Sequence, residues 1–182
     1  MKTGIARIFV ALIGVVGLSQ PLSAAEAEAG ASFDSSPWIW TWPDPGSNST
    51  RDMDMACAYF RVELPLPKPS SVVRADMFLT ADNLYALYVN GKYVGQSDAD
   101  PNKWREAKRF DVASLLVPGR NVVAIEAANT APGPAGLIVQ GIVQLADGRQ
   151  VVLTSGDQWK CNEKKEKHWE LVAFDDTKWQ KA

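Results

Sequence analysis

The sequence contains one histidine, His168, and two cysteines, Cys57 and Cys161, in 182 residues. A histidine metal cage lacks the imidazoles it needs, and a serine–histidine–aspartate triad is argued against because the one imidazole lies among lysines in a polar tail. No Cys/His grouping has zinc spacing, and no Cys-x-x-Cys-His attaches haem. Positive charge is also scarce, with 19 basic against 21 acidic residues and a net charge of −2. Nucleic-acid binding is dominated by neutralising phosphates, so this balance argues against it. The basic run Lys164–His168 contains Glu166 and reads as a solvated loop.

Long apolar runs are missing too. The longest, Ile8 to Leu18, is about half the ~20 residues that span a bilayer. It follows Lys2 and Arg7 and precedes small residues at Ser23-Ala24-Ala25. Basic, apolar, then small is the order of a secretory signal peptide. Residues 1–24 are read as that signal, 25–36 as a linker and 37–182 as one exported domain. No membrane span is expected after cleavage. Loss of Lys2 and Arg7 takes the net charge from −2 to −4. An oxidising compartment permits a Cys57–Cys161 disulfide, while two buried free thiols are the competing account.

Short alternating segments, separated by turn residues about every ten positions, make up the rest. Ala56–Leu66, Val72–Thr80, Asn121–Asn129, Leu137–Ala146 and Gln150–Ser155 read as strands. Asn90-Gly91 is a type I′ hairpin signal, since that turn needs positive φ at both central residues. A short helical turn is expected at Ala113–Leu116, with Asp111 bonding nearby backbone amides. Trp38, Trp40 and Trp42 alternate, and an extended segment would set them on one face. Eight or nine strands without a long helix predict an all-β jelly-roll sandwich.

Four stretches carry a resemblance: "YFRVELPLP", "ADMFLTADNLYALYVNGKYVG", "FDVASLLVPGRNVVAIEAAN" and "GLIVQGIVQLADGRQVVLTSGDQWK". In this order they resemble the galactose-binding-like jelly-roll domains of bacterial α-L-rhamnosidases. They are also similar to the sugar-binding domains of family 2 glycoside hydrolases. The resemblance covers Tyr59 to Trp179 and implies an accessory module. The large catalytic domains of both enzyme groups are absent from this sequence.

A pyranose needs an aromatic face and a few fixed hydrogen-bonding groups. Trp104, in a polar loop, is the aromatic candidate, and Asn129 ends a strand where its amide can meet a ligand or cap a turn. The resemblance adds Asp82 and Asn83, because the segment entering this hairpin lies near the sugar in the similar domains. An Asx-type turn is the competing account of that pair. Modules of this kind also carry a structural calcium, for which Asp44, Asp52 and Asp54 are candidates. Paired loop aspartates elsewhere read as turns, and no other cofactor is expected. Three functions follow: a non-catalytic carbohydrate-binding or accessory module, a protein-interaction module of an envelope assembly, or the front of an α-L-rhamnosidase.

Overall fold

A computed structural model describes residues 33–41 and 53–182. The proposed signal peptide, most of the linker, Trp42, Asp44 and Asp52 lie outside the described residues. Ten strands are described: β1 (Ala56–Glu63), β2 (Val72–Asp82), β3 (Leu84–Val89), β4 (Lys92–Gln96), β5 (Lys108–Asp111), β6 (Val122–Asn129), β7 (Gly136–Leu145), β8 (Gln150–Thr154), β9 (Lys160–Asn162) and β10 (Gln180–Lys181). Two short 3-10 turns, Pro101–Arg105 and Ala113–Leu115, interrupt them. No helix of the described residues is long and apolar enough to cross a membrane.

The strands form two antiparallel sheets, ordered β10-β9-β1-β6-β3-β4 and β5-β2-β7-β8. This is the expected β-sandwich, with one or two strands more than the eight or nine anticipated. The additions are β9 and β10, of three and two residues, which are too short to show alternation. They exist because β1 offers an edge: Phe60 pairs with Cys161, and Gln180 pairs with Cys161 in turn.

Period-two alternation explains the core. Ala58, Phe60 and Val62 of β1, with Val123, Ile125 and Ala127 of β6, face Ala75, Met77 and Leu79 of β2. Residues of opposite parity point outward from each sheet. On the six-stranded sheet the outward side is itself covered. Tyr59, Val122 and Ala124 pack beneath Trp169 and Trp179 of the C-terminal segment. The Trp169 and Trp179 rings stack at 6.3 Å. Arg61, fully buried, crosses this layer. It donates from Nε to Asp176 Oδ2 at 3.0 Å and from Nη1 to the carbonyls of Trp169 and Leu171.

Asn90 and Gly91 take φ of 52° and 81°, as a type I′ turn requires. Asn90 also donates from Nδ2 to Leu115 O and Asn121 Oδ1, and its Oδ1 accepts from Val122 N, each at 2.8 Å. Asn121 in turn accepts from Val117 N and donates to Val117 O. The turn residue thus locks the hairpin to the loop that launches β6. Asp111 accepts from Ala113 N at 3.0 Å, the local bond expected of it.

Two expectations are corrected. Cys57 and Cys161 are free thiols. Cys161 is the register partner of Phe60, three residues or about 10 Å along β1 from Cys57, beyond the ~7 Å a bridge tolerates. They also point to opposite sides: Cys161 joins the core, whereas Cys57 is exposed. Burial pushes the Cys161 thiol up to about 11, so it stays protonated. Trp38 and Trp40 do not share one face either. Ile39 exchanges backbone hydrogen bonds with Leu137 and both side chains enter the core; Trp40, the next residue, enters it too, against Phe60 at 5.6 Å, so the segment departs from strand alternation. Trp38 stays at the rim, 47% exposed.

Candidate functional site

The end of β2 brings most of the predicted sugar residues together. Asp82 closes β2 and pairs in register with Gly136, the first residue of β7. The Trp38 indole lies on Gly136: a Cβ there would sit 2.6 Å from Trp38 Cε3. Only glycine permits that approach, so Trp38 rests one strand spacing from Asp82. Trp104 meets Trp38 edge-on, with ring centroids 6.3 Å apart. Its carbonyl accepts from Thr80 Oγ1 at 2.6 Å, which fastens the loop to β2.

The two indoles differ in availability. Trp104 is half-buried and carries the Arg105 guanidinium 4.5 Å above its ring. One of its faces is therefore occupied by a cation–π contact. Trp38 presents the freer aromatic surface, a role that alternation did not assign to it. The signal was Gly136, the small residue at the mouth of an otherwise bulky strand.

Asp82 and Asn83, joined by a cis peptide, divide their roles. Asn83 Oδ1 accepts from Thr130 N and Oγ1 at 2.8 and 2.7 Å. Its Nδ2 donates to Asp82 Oδ1 at 2.5 Å and to Pro101 O at 3.4 Å. The amide is fully engaged in joining three segments of chain. The carboxylate is the member of the pair with acceptor capacity left, since it has four lone-pair sites and the Asn83 amide takes one of them. Burial pushes the Asp82 carboxyl above its ordinary value, against the opposing hydrogen bond from Asn83.

Asn129 is buried away from this surface. Its Nδ2 faces the carbonyls of Met53 and Asp54, at 3.4 and 3.1 Å, and holds the approach to β1. The structure thus gives it the capping geometry. A cavity of about 10 Å³, space for one water, lies behind Asn83 among Thr80, Tyr85, Ser97, Asp98 and Lys108. The buried Tyr85 hydroxyl has no protein partner. Two larger clefts, about 310 and 290 Å³, lie beside Trp179 and Asp176, and no predicted sugar residue lines either. Among the described residues, no group of three or more His, Cys, Asp or Glu side chains is placed to hold a metal. Two of the three calcium candidates, Asp44 and Asp52, fall outside those residues.

The fold and this loop end define a galactose-binding-like β-sandwich. No family model matches the chain. The α-L-rhamnosidase of Streptomyces avermitilis is 30% identical over 116 residues, 63% of this chain and 11% of the enzyme. The crystal structure of that species' α-L-rhamnosidase, complexed with L-rhamnose, matches with a TM-score of 0.74 at 30% identity. The match covers 83% of this chain and 14% of the enzyme's. A lectin from Pleurotus ostreatus, in complex with GalNAc, matches with a TM-score of 0.69 at 26% identity, over 80% of this chain and 42% of its own. The chain is similar to one domain of these rhamnosidases and to a lectin of the same fold.

Proposed function

We propose that the chain is a carbohydrate-binding accessory module of an exported glycoside-processing protein, without hydrolytic activity of its own. The observation carrying this reading is Trp38 laid on Gly136 beside Asp82. An exposed indole next to a fixed carboxylate is the pairing that sugar recognition needs. The likeness to a rhamnosidase solved with L-rhamnose and a lectin solved with GalNAc supports it. The signal-like residues 1–24 support export. Glycoside hydrolysis employs two carboxyl groups facing one bond. At this end Asp98 is held by Lys108 at 3.0 Å and Asp100 by the Asn102 amide at 3.0 Å, which favours binding over cleavage.

The envelope-assembly reading, motivated by the tryptophans from Trp38 to Trp42, has less support. Trp40 is in the core, so of the described indoles in that segment Trp38 alone is open to a partner. Titration calorimetry with a sugar panel including L-rhamnose and GalNAc tests the carbohydrate reading. At least one sugar binds, and Asp82→Ala and Trp38→Ala each weaken it about tenfold or more while the melting temperature is kept. Flat titrations across the panel with folded protein overturn it.

A further inference from the structure

Each sheet ends in two edge strands, β10 and β4 for the larger, β5 and β8 for the smaller. An edge presents a row of N–H and C=O groups to any passing strand, and folded proteins guard it with charge, proline, bulges or brevity. Three of these edges are guarded. β10 has two residues, and β5 carries Lys108, Arg109 and Asp111 among its four. β4 opens on Lys92 and pairs with β3 through a register shift at Leu87–Tyr88. β8 has none of these devices: Gln150, Val151, Val152, Leu153 and Thr154 include no charge and no proline, and they pair with β7 in unbroken register.

Backbone alternation identifies the groups that β8 turns outward. Ser155 N donates to Val139 O and Leu145 N to Arg149 O, so the bonded pairs with β7 fall at odd residues. The N–H and C=O of Gln150, Val152 and Thr154 therefore point away from β7. Among the described residues, the Thr154 carbonyl is the one of these groups that is engaged, by Trp159 Nε1 at 2.9 Å and by the Gln158 amide. A second copy laid antiparallel on this edge, about a two-fold axis at Val152, sets each Val152 opposite its counterpart and each Thr154 opposite a Gln150. Val152 N and O then bond their counterparts, and Thr154 N bonds Gln150 O on either side of the axis. No bond of the single chain is disturbed.

Side chains match in the same register. Ile142 is the partner of Val152, so the row across the joint reads Ile142, Val152, Val152, Ile142. The adjoining rows join Gln140 and Thr154 of one copy to Gln150 and Gln144 of the other. A strand that meets its own copy sets like charges together wherever it carries one, and β8 carries none. Asp147 and Arg149, just before it, bond each other at 2.8 Å. Segments of this chain outside the described residues suit the edge less well. Residues 42–52 include Pro43 and Pro45, residues 25–32 are alanine, glutamate, glycine and serine, and residues 1–24 have the order of a signal.

We propose that β8 is a pairing edge for a second copy of this chain, giving a two-fold dimer in which the two smaller sheets run on as one. Sedimentation velocity of the full chain at micromolar concentrations, with hydrogen exchange at β8, tests it. The wild type sediments as a dimer, and the Val152 and Thr154 amides are protected where the dimer forms. Val152→Lys sets like charges on the axis, and Val152→Pro removes a donor that β7 does not use. Each weakens dimerisation about tenfold or more while circular dichroism still reports a folded sheet. Val152→Glu alone behaves as Val152→Lys does, and mixing these two restores a dimer, which a loss of folding would not allow. A wild type that stays monomeric overturns the proposal, as does a dimer indifferent to these variants or not restored by mixing. A monomer with protected Val152 and Thr154 amides overturns it too, and places another segment of the chain on the edge.

Discussion

The two sheets turn opposite kinds of surface outward. The six-stranded sheet is roofed by its own C-terminal segment, with Trp169 and Trp179 over Tyr59 and a buried Arg61 held beneath them. The four-stranded sheet leaves Phe78, Gln140, Val152 and Arg109 in a half-open layer of its own. Both faces arise from the same period-two pattern, so alternation alone does not separate them. What separates them is a distant segment: the tail returns to one sheet and leaves the other accessible. A sandwich needs only one packed interior, so its second outer face can stay open without loss of the core.

Breaking the roof gives the largest effects. Asp176→Asn removes the carboxylate that Arg61 and Lys160 share, leaving a buried guanidinium uncompensated, and costs about 3–5 kcal/mol in urea unfolding. Trp169→Ala, which empties the centre of the same layer, costs a similar ~3–5 kcal/mol. The ion pair also has a pH signature. Burial raises the Asp176 carboxyl, but hydrogen bonds and charge from Lys160 and Arg61 outweigh this and hold it below its ordinary value. A depressed carboxyl contributes stability at pH values above its unfolded value and loses it as pH falls through the folded one. Wild-type stability therefore declines as pH drops below about 4, and Asp176→Asn lacks that part of the decline. Parallel urea titrations at pH 7 and pH 3 measure the difference.

A smaller effect is expected where a turn meets the roofed sheet. Asn90→Gly keeps the positive φ of the hairpin but strands Asn121, Val122 and Leu115, and costs about 1–3 kcal/mol. A residue needed only for its turn would leave stability unchanged. The smallest effect belongs to the open face. Val152→Thr, at a position 54% exposed, shifts stability by less than ~0.5 kcal/mol. A cost of several kcal/mol there would mean that this face is packed, and the contrast between the sheets would fail.

Much of the fold was legible because its determinants are local. The Asn90-Gly91 turn, the Asp111 bond and the strands β1, β6 and β7 follow from φ preferences and a period of two. The tail was not legible. β9 and β10 exist through the edge of β1, and Arg61 reads as an ordinary outward residue until Asp176 is placed beside it. The tryptophan row misled for a related reason: Ile39 forms only an isolated bridge to Leu137, so the segment is not a strand whose alternation would set Trp38 and Trp40 on one face. At the candidate site the resemblance directed attention to Asp82-Asn83, but not to the division between them. That division depends on Pro101 and Thr130, 18 and 47 residues further along the chain.

The bond from Arg61 to Asp176 spans 115 residues of chain. A ribosome releases β1 long before it releases the partner that β1 requires. Until the tail emerges, Tyr59, Tyr88 and a charged guanidinium stand on an open sheet, and contacts of this separation form slowly. In a cell the domain therefore closes late in synthesis, and the interval before closure is when it most needs protection from aggregation or from proteases.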